Sequence, residues 1–350
     1  MDDKTTAQGQ TGPHGFDEQA LDAYLRQNLA DYCGPYMLRA ITGGQSNPTF
    51  LLKGSAHSLV LRKKPAGKLL PLAHAVDREY RVMNALQGRG VPLARTRLYC
   101  DDASVIGTPF YLMDFVAGRQ FMDPALPELD PPQRSAVWDA FNSAVANLHT
   151  VDFAAVGLAN YGRVGNYLTR QIGRWSQQYR TAQTEDITSM ERLMAWLPEH
   201  LPPGDETTLV HGDLRIDNLL FHSTEPRILA LLDWELSTLG HPLADLAYHL
   251  MSWRLTSDQF RGMAEHDLPA LGIPSEAEYL ARYVQRTGRA AIDPIEWEFH
   301  MTFSMFRLAA ILQGIVHRAL QGNASSDQAL ATGHRARTIA DIAWQQASRL

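Results

Sequence analysis

Two short apolar segments in the second half of the chain carry polar side chains at their ends, and they limit the fold more than any other feature. In "HGDLRIDNLLF", His211, Asp213 and Asn218 precede the apolar run Leu219–Phe221, and "LALLDWE" is a second apolar run that leads into Asp233. Asp and Asn are disfavoured inside strands but common in loops beside buried strands, where their side chains can point into a cleft. The two segments therefore predict core strands that hold a polar loop in place.

The polar groups of this loop form a set with a recognisable chemistry. A carboxylate and an amide near a second carboxylate can hold Mg²⁺, a hard ion that takes oxygen ligands and usually completes its shell with water and phosphate. Asp213 would then be free to accept a proton from a substrate hydroxyl. The spacing H-x-D-x-x-x-x-N followed by an Asp at a strand end is that of the protein-kinase catalytic set. The alternative is an Asx-rich turn between two core strands, which the second segment, at the expected distance, disfavours.

The rest of the chain divides into a β-rich and a helical part. "YMLRAIT", "PTFLLK" and "SLVLRK" predict an antiparallel meander that the helix "LPLAHAVDREYRVMNAL" covers, and "GVPLARTRLYC" and "PFYLMDFV" add further strands. After Gly118 long amphipathic helices dominate. The predicted fold class is α+β, with a tail and first helix over residues 1–34, a β-rich N-lobe over 35–117 and a mainly helical C-lobe over 118–350.

Several stretches together resemble the aminoglycoside phosphotransferase, or choline-kinase-like, family. They are "LVHGDLRIDNLLF", "ALLDWELSTLGHPLADLAYHL", "GGQSNPTF", "LVLRKKPAGKLLPLAHAVDREYRV", "GTPFYLMDFVAGR" and "YLTRQIGRWSQQY". They cover nearly the whole chain after about residue 35, and they are most similar to a branch that includes the kinase-like domain fused to acyl-CoA dehydrogenases. The resemblance implies a protein-kinase-like, two-lobed fold, with ATP and Mg²⁺ as cofactors.

The resemblance also implies roles for the loop residues. Asp213 matches the catalytic base of the family, and Asn218 and Asp233 match its magnesium ligands. Arg215 stands where serine/threonine protein kinases place a lysine that faces the transferred phosphate, and an outer salt bridge is the alternative for it. His211 is expected to support the loop through hydrogen bonds.

Three acidic residues near the loop are expected to be structural. Asp217 and Glu235 are more simply explained by local contacts than by catalysis. Asp245, at the start of "DLAYHL", is expected to cap a helix and to tie down the loop.

A turn in the N-lobe is the predicted phosphate contact. "GGQSN" lies between two strands, where Gly43 and Gly44 would let backbone amides approach phosphate oxygens, and Gln45, Ser46 and Asn47 are further candidate contacts. By itself the segment is an ordinary hairpin turn. Its position ahead of "LVLRKKP" predicts a nucleotide flap.

An arginine occupies the position of the usual phosphate-binding lysine. Strand alternation puts Val60 and Arg62 on one face of "LVLR", and Arg62 differs from lysine in geometry although it can grip phosphate in a bidentate way. Lys63 or Lys64 could share that contact. Glu79 lies on the apolar face of its helix, where an unpaired charge would be costly, so a pair with Arg62 is predicted.

The stretch "PFYLMDFVAG" resembles the interlobe hinge of the family. The backbone near Met113, Asp114 and Phe115 is the predicted adenine contact. An edge strand that leads out of the lobe is the alternative, and it is compatible with the same role.

Composition excludes some partners and indicates a compartment. The chain has 350 residues and a formal net charge of -6, which argues against nucleic acid as a partner because phosphate neutralisation needs a basic surface. No uninterrupted apolar run approaches a membrane-spanning length, so no membrane partner is expected. The two cysteines, Cys33 and Cys100, exclude a disulfide framework, and a cytoplasmic protein is the expectation.

The resulting hypothesis is an ATP- and Mg²⁺-dependent transfer of the γ-phosphate to a hydroxyl of a small molecule. Arg170, Arg174 and Arg307 indicate an anionic acceptor, and the resemblance implies a hydroxyacyl-CoA, in particular a 4-hydroxyacyl-CoA. Aminoglycoside, choline and homoserine remain alternative acceptors. A nucleotide-binding pseudokinase-like module is an alternative of another class, which only Arg62 favours.

A third class, a metal-dependent hydrolase built on His211, Asp213 and Asp233, would need more histidine ligands. His222, His241 and His249 show no suitable spacing for it.

Overall fold

The computed structural model describes residues 14–41, 47–65, 74–321 and 329–350. The chain divides into two compact units. The first consists of Met1–Gln87 and Leu93–Ala117, and the second of Gly88–Pro92 and Gly118–Leu350.

The first unit is built on a five-stranded antiparallel sheet in the order β1-β2-β3-β5-β4. Its strands are β1 Met37–Ala40, β2 Thr49–Lys53, β3 Ser58–Lys63, β4 Thr96–Cys100 and β5 Phe110–Asp114. Its helices are α1 Glu18–Asn28, α2 Val76–Ala85 and the short α3 Ala103–Ile106. The predicted meander of three antiparallel strands is confirmed, and α3 was not predicted.

Alternation along the central strands sets which side of this sheet is covered. Phe50, Leu52, Leu59 and Leu61 are buried in one apolar cluster together with residues of α1, because side chains two residues apart in a strand share a face. This packing leaves the other face of β3 to Val60 and Arg62, as predicted.

The second unit is mainly helical. Its helices are α4 Pro131–His149, α5 Tyr167–Ala182, α6 Thr188–Glu199, α7 Pro242–Leu250, α8 Ser257–Phe260, α9 Glu276–Thr287, α10 Pro294–Leu320, α11 Ala329–Gly333 and α12 Ala336–Ala347. Two small antiparallel sheets accompany them: β6 Thr208–Val210 pairs with β9 Thr238–Gly240, and β7 Leu219–Phe221 pairs with β8 Ile228–Leu231.

Helix α10 forms the core of this unit. It is long and apolar enough to cross a membrane, but 83% of its apolar window is buried inside the protein. A helix that is apolar on all sides is typical of a domain core as well as of a membrane span, and here α5, α7, α11 and α12 all pack against it.

Together, the sheet-based first unit and the helical second unit confirm the predicted α+β, kinase-like fold class. The assignment of nucleotide binding to one unit and catalysis to the other stays a prediction.

Candidate active site

The β7–β8 hairpin holds the polar loop predicted from the sequence. Leu219 lies opposite Leu231 in the hairpin, and one residue further on the Leu232 amide donates a hydrogen bond to the Asn218 carbonyl oxygen at 2.8 Å. Asp233 follows directly, with a φ of +62°, in the left-handed region that Asp tolerates better than most residues. The hairpin therefore brings the neighbourhoods of Asn218 and Asp233 together although they are fifteen positions apart.

The side chain of Asn218 fixes Asp213. Its Nδ2 donates to the backbone oxygen of Asp213 and to the Oδ2 atom of the same residue, each at 2.9 Å. Because the amide nitrogen is used in this way, the Oδ1 atom is the part of Asn218 that remains as a ligand. An amide oxygen and the Asp233 carboxylate are the hard donors that Mg²⁺ takes, so the residues present fit that ion.

His211 supports the loop, as predicted. Its Nε2 donates to the Leu232 carbonyl oxygen at 2.9 Å, and its Nδ1 accepts from the Asp213 amide at 3.3 Å. These two bonds fix the tautomer and connect the loop to the strand that leads to Asp233. The ring is buried.

Asp245 anchors the start of the loop from α7. Its two carboxylate oxygens accept from the amides of His211 and Gly212, at 2.7 and 2.8 Å, and His149 Nε2 lies 3.2 Å away. Burial raises the pKa of this carboxyl, but the hydrogen bonds and charges of His149 and His211 outweigh it, so the pKa lies below its usual value. The carboxylate is therefore held ionised inside the protein.

The prediction that Asp245 caps this helix is wrong. The N-cap of α7 is His241, whose side chain accepts from the Leu243 amide. Asp245 lies in the first turn instead, where its carboxylate reaches the loop. The predicted tie to the loop is confirmed.

Gly212 is required by the backbone at this point. Its φ is +84°, and a Cβ added there would lie 2.5 Å from the Leu236 carbonyl oxygen. Side chains other than hydrogen would clash with that backbone. The loop can therefore pass this close to the turn after Asp233 only because residue 212 is glycine.

Arg307 of α10 also contacts the loop. It is buried, donates to the Gly212 carbonyl oxygen, and stacks its guanidinium over the rings of Tyr248 and Trp175 at 4.5 and 5.3 Å. Cation–π contacts of this kind stabilise a buried arginine. Arg307 thus positions the loop, which is a different role from the pocket cation suggested by the sequence.

Tyr248, which the sequence did not single out, lies beside the predicted base. Burial, with the neighbouring Asp213 charge as the next cause, raises the pKa of its phenol to about 12. Tyr248 lies one helical turn after Asp245 on α7. This spacing is the sequence pattern that could have identified Tyr248 as a residue near the loop.

Arg215 pairs with carboxylates of its own loop. Its Nη2 lies 3.3 Å from Asp213 Oδ2, and its Nε lies 3.6 Å from Asp217 Oδ1. Asp217 is also paired with Arg261, which agrees with the structural role predicted for it. Arg215 therefore lies next to the predicted base, and its role towards the transferred phosphate stays a prediction.

A pocket of the second unit opens beside Arg215. Its lining is mainly apolar, with one acidic and two basic side chains. The lining residues are Met122, Pro124, Trp138, Arg215, Ile216, Asp217, Tyr248, His249, Met251, Ser252, Leu255, Phe260 and Arg261. Both basic side chains are paired with carboxylates, Arg215 with Asp213 and Asp217 and Arg261 with Asp217.

The two α5 arginines do not join this pocket. Arg170 donates to the backbone oxygens of Gly165 and Arg163, and Arg174 is exposed, with its guanidinium over Trp175. The prediction of an anionic acceptor therefore cannot rest on Arg170 and Arg174. The arginines that line the pocket are Arg215 and Arg261.

In the first unit, the predicted pair between Arg62 and Glu79 is formed. Arg62 Nε lies 2.9 Å from Glu79 Oε2, and Tyr111 donates to the same oxygen at 3.0 Å. Glu79 is 1% exposed, so these contacts offset the cost of a buried charge.

Asn47 is engaged with the same glutamate. Its Nδ2 donates to Glu79 Oε1 at 2.6 Å, and its Oδ1 lies 3.1 Å from His74 Nδ1. The side chain thus extends the buried network of α2 and β3. The other predicted flap residues, Gly43, Gly44, Gln45 and Ser46, lie outside the described residues.

The predicted adenine segment lies at the C-terminal end of strand β5. Met113 pairs with Val60, the Asp114 and Phe115 amides donate to the carbonyl oxygens of Arg95 and Ser58, and the Asp114 carboxylate binds Arg97 at 2.6 Å. These two amides are therefore used within the unit, and an adenine contact here would depend on carbonyl oxygens.

The fold and the loop define the class of protein as a kinase-like phosphotransferase. A Phosphotransferase enzyme family model, APH, matches residues 38–297, so the chain belongs to this family. The predicted enzyme class, a small-molecule kinase, is confirmed.

A relative and two solved structures show how far the similarity extends. Acyl-CoA dehydrogenase family member 10 of Mus musculus is 46% identical over 335 residues, which cover 95% of this chain and 31% of that protein. A Ralstonia eutropha structure named after the aminoglycoside phosphotransferases is 50% identical, with a TM-score of 0.88 over 95% of this chain and 99% of that one. The chain thus spans about a third of the length of the mouse protein.

The second solved structure shares the fold alone. It is aminoglycoside phosphotransferase APH(4)-Ia in a complex with AMP-PNP and hygromycin B, at 15% identity and a TM-score of 0.58 over 93% of this chain and 98% of that one.

Proposed function

We propose that this protein transfers the γ-phosphate of ATP, with Mg²⁺, to the hydroxyl of a hydroxyacyl-CoA. The observation that carries the proposal is the position of Asp213, which Asn218 and Arg215 hold beside a mainly apolar pocket with two cations. In-line phosphoryl transfer needs positioning and charge neutralisation more than covalent catalysis.

In the proposed reaction, Asp213 accepts the proton of the acceptor hydroxyl. The hydroxyl oxygen forms a bond to the γ-phosphorus, the bond from that phosphorus to the bridging oxygen breaks, and ADP leaves. Arg215 lies 3.3 Å from the base, and it would neutralise charge on the phosphoryl group in transit.

Asn218 and Asp233 would hold the metal. Bound Mg²⁺ would neutralise charge on the phosphate oxygens of the nucleotide. The protein's own contribution is the hairpin that keeps the two ligand-bearing residues at neighbouring positions.

Arg62 is the proposed phosphate contact of the first unit. Its bond to Glu79 fixes the guanidinium, as the lysine–glutamate pair does in kinases. An AMP-PNP complex of a phosphotransferase with the same fold supports the use of ATP.

The acceptor is proposed from the pocket and from the relatives. Apolar walls suit an acyl chain, and Arg215 and Arg261 suit an anionic group. A relative with 46% identity carries acyl-CoA dehydrogenase in its name, which supports an acyl-CoA. The apolar walls offer less to a polycationic aminoglycoside, because many of its polar groups would lie against them without hydrogen-bond partners.

The test is an acceptor screen with purified protein and Mg-ATP. Hydroxyacyl-CoAs, free hydroxy acids, homoserine, choline and an aminoglycoside are compared, and phosphorylated product is followed by mass spectrometry. We expect product with a hydroxyacyl-CoA. Failure with every acyl-CoA but turnover of another acceptor would overturn the substrate class and leave the kinase chemistry standing.

The same screen separates the enzyme from a pseudokinase-like module. Such a module would bind ATP, measured by calorimetry, without forming product from any hydroxylated acceptor. The Asp213→Asn variant is the background control for product formation.

A further inference from the structure

Three side chains of the second unit that are not part of the candidate active site meet at helices α7 and α10. His241 precedes α7 as its N-cap, and Glu296 and His300 lie one turn apart on α10. One donor atom from each of the three residues lies within 4.8 Å of the others. Residues four apart on a helix share a face, so α10 presents its two groups to His241 together.

His300 has an unusual environment for a buried polar group. It is 0% exposed, and neither of its ring nitrogens has a hydrogen-bond partner among the described residues. The Glu296 Oε1 atom lies 3.9 Å from its Nε2, which is too far for a hydrogen bond. Since buried polar atoms are nearly always satisfied, an exception needs an explanation.

His241 faces this ring. The two imidazoles stack with centroids 4.4 Å apart and planes at 29°. The cap bond from the Leu243 amide to His241 Nδ1 is long, at 3.3 Å. A ligand that took the lone pair of His241, or changed its tautomer, would therefore displace only a weak contact.

We propose that His241, Glu296 and His300 bind a divalent transition metal ion, of which zinc is the best match. Two imidazoles and one carboxylate are a common zinc ligand set, with a water in the fourth position. The Glu296 side chain is 23% exposed, so an ion and that water would reach the site from solvent past this residue.

The three donors could reach a common zinc ion after side-chain rotation. Ligand atoms bind zinc at about 2.0–2.1 Å in a tetrahedral arrangement, so two of them lie about 3.3 Å apart. The 3.9 Å between Glu296 Oε1 and His300 Nε2 would have to shorten by about 0.6 Å. Because the two imidazoles are stacked, the His241 side chain would also have to rotate so that a ring nitrogen points towards the same ion.

Arg289 and His149 face the cluster from other segments. Arg289 acts on both histidines of the cluster electrostatically, and its Nη2 is bound to Glu206 at 2.9 Å. This ion pair reduces the repulsion that a bound cation would experience, and the Glu296 carboxylate reduces it further.

The site would stabilise the catalytic loop without taking part in transfer. Helix α7 carries Asp245, which accepts from the Gly212 amide, and α10 carries Arg307, which donates to the Gly212 carbonyl oxygen. An ion between His241 and the first turns of α10 would hold together the two helices that clamp this glycine.

The test is metal binding by the full chain after treatment with a chelator and without nucleotide. Zn²⁺ affinity is measured by calorimetry, and Co²⁺ is added as a spectroscopic probe. We expect strong visible absorption of four-coordinate Co²⁺, and a loss of Zn²⁺ affinity of about tenfold or more in Glu296→Gln and His300→Gln. The matched control is His317→Gln, on the same helix but outside the cluster, which should bind Zn²⁺ as the native chain does.

Two results would overturn the proposal. One is a native chain with no four-coordinate Co²⁺ spectrum, a measurement that does not depend on the folding of any variant. The other is Zn²⁺ binding that survives both cluster substitutions but is lost in Asp233→Asn, because the ion would then occupy the candidate magnesium site.

Discussion

The amide of Asn218 donates to two oxygens of Asp213, the backbone oxygen and Oδ2, both at 2.9 Å. This contact joins the predicted metal ligand to the predicted base, so that neither side chain can rotate alone. Orientation of the carboxylate is therefore set by the same residue that would carry the ion.

Removal of the base should abolish most turnover. We expect Asp213→Asn to lower kcat by roughly 10²–10⁴, because a positioned general base contributes about that much, and to leave ATP affinity within a few-fold. Phosphoryl transfer and nucleotide binding are measured separately. The control is Asp258→Asn at an exposed position, and turnover in Asp213→Asn equal to that of the control would disprove the assignment.

Loss of the Asn218 side chain should change the dependence on Mg²⁺. In Asn218→Ala, the Mg²⁺ concentration for half-maximal turnover should rise about tenfold or more, because one oxygen ligand is lost. The titration is run at saturating ATP. Asn147→Ala, whose amide bonds to the Gly90 carbonyl oxygen, is the matched control, and identical Mg²⁺ curves for the two variants would exclude Asn218 as a ligand.

The buried pair of the first unit can be tested through stability. Arg62→Ala leaves Glu79 as a buried charge without its cation, and we expect the free energy of unfolding to fall by about 3 kcal/mol. The double variant Arg62→Ala/Glu79→Gln should be more stable than Arg62→Ala, since no buried charge is left uncompensated. Denaturant unfolding checks both, and an additive double variant would contradict the pairing argument.

Acid should destabilise the protein through buried His249. Burial lowers the pKa of His249 to about 3 from an ordinary value of 6.5, so the unfolded chain binds a proton that the folded chain refuses. The contribution of His249 to the free energy of unfolding is constant above about pH 6.5. Below that value the free energy of unfolding falls by about 1.4 kcal/mol per pH unit, down to about pH 3.

The measurement is the free energy of unfolding at pH 7 and pH 5 with metal chelated. In His249→Gln the free energy of unfolding at pH 7 and at pH 5 should differ by roughly 2 kcal/mol less than in the native chain. This value is the slope of about 1.4 kcal/mol per pH unit multiplied by the roughly 1.5 pH units between pH 6.5 and pH 5. His222→Gln, at a partly exposed turn, is the matched control for the type of substitution. An unchanged difference in His249→Gln would show that other groups carry the acid sensitivity.

The acceptor pocket predicts an effect on KM. In Arg261→Gln, the KM for a hydroxyacyl-CoA should rise several-fold with little change in kcat, because the charge of this exposed side chain contributes roughly 1 kcal/mol to binding. Arg227→Gln, an exposed arginine paired with Glu225, is the control. A fall in kcat alone would place Arg261 outside acceptor binding.

Local patterns along the sequence were enough to predict most elements of the fold. Alternation in "SLVLRK" and helical spacing in "VDREYRVMNA" gave strand β3 and helix α2, because neighbouring residues decide which face is apolar. The pair of Arg62 with Glu79 followed from the same reasoning, since a buried charge needs a partner.

Contacts between distant segments could not be read in this way. Arg170 stood at helical spacing from Arg174, and only the folded chain shows that its guanidinium binds the backbone oxygens of Gly165 and Arg163. Asp245 looked like a helix cap because caps are local, whereas its carboxylate binds amides of His211 and Gly212, more than thirty residues earlier.

The sequence by itself determined the class of chemistry, because Asp213, Asn218 and Asp233 lie at a spacing that few other functions need. The tertiary structure decided what surrounds them. It places Tyr248 and Arg307 against the loop, and it brings His241 to His300, fifty-nine positions away, where spacing along the chain gave no signal. The physical reason is that hydrogen bonds, charges and metal ligands act over a few ångströms in space, and the packing of α7 against α10 sets those distances.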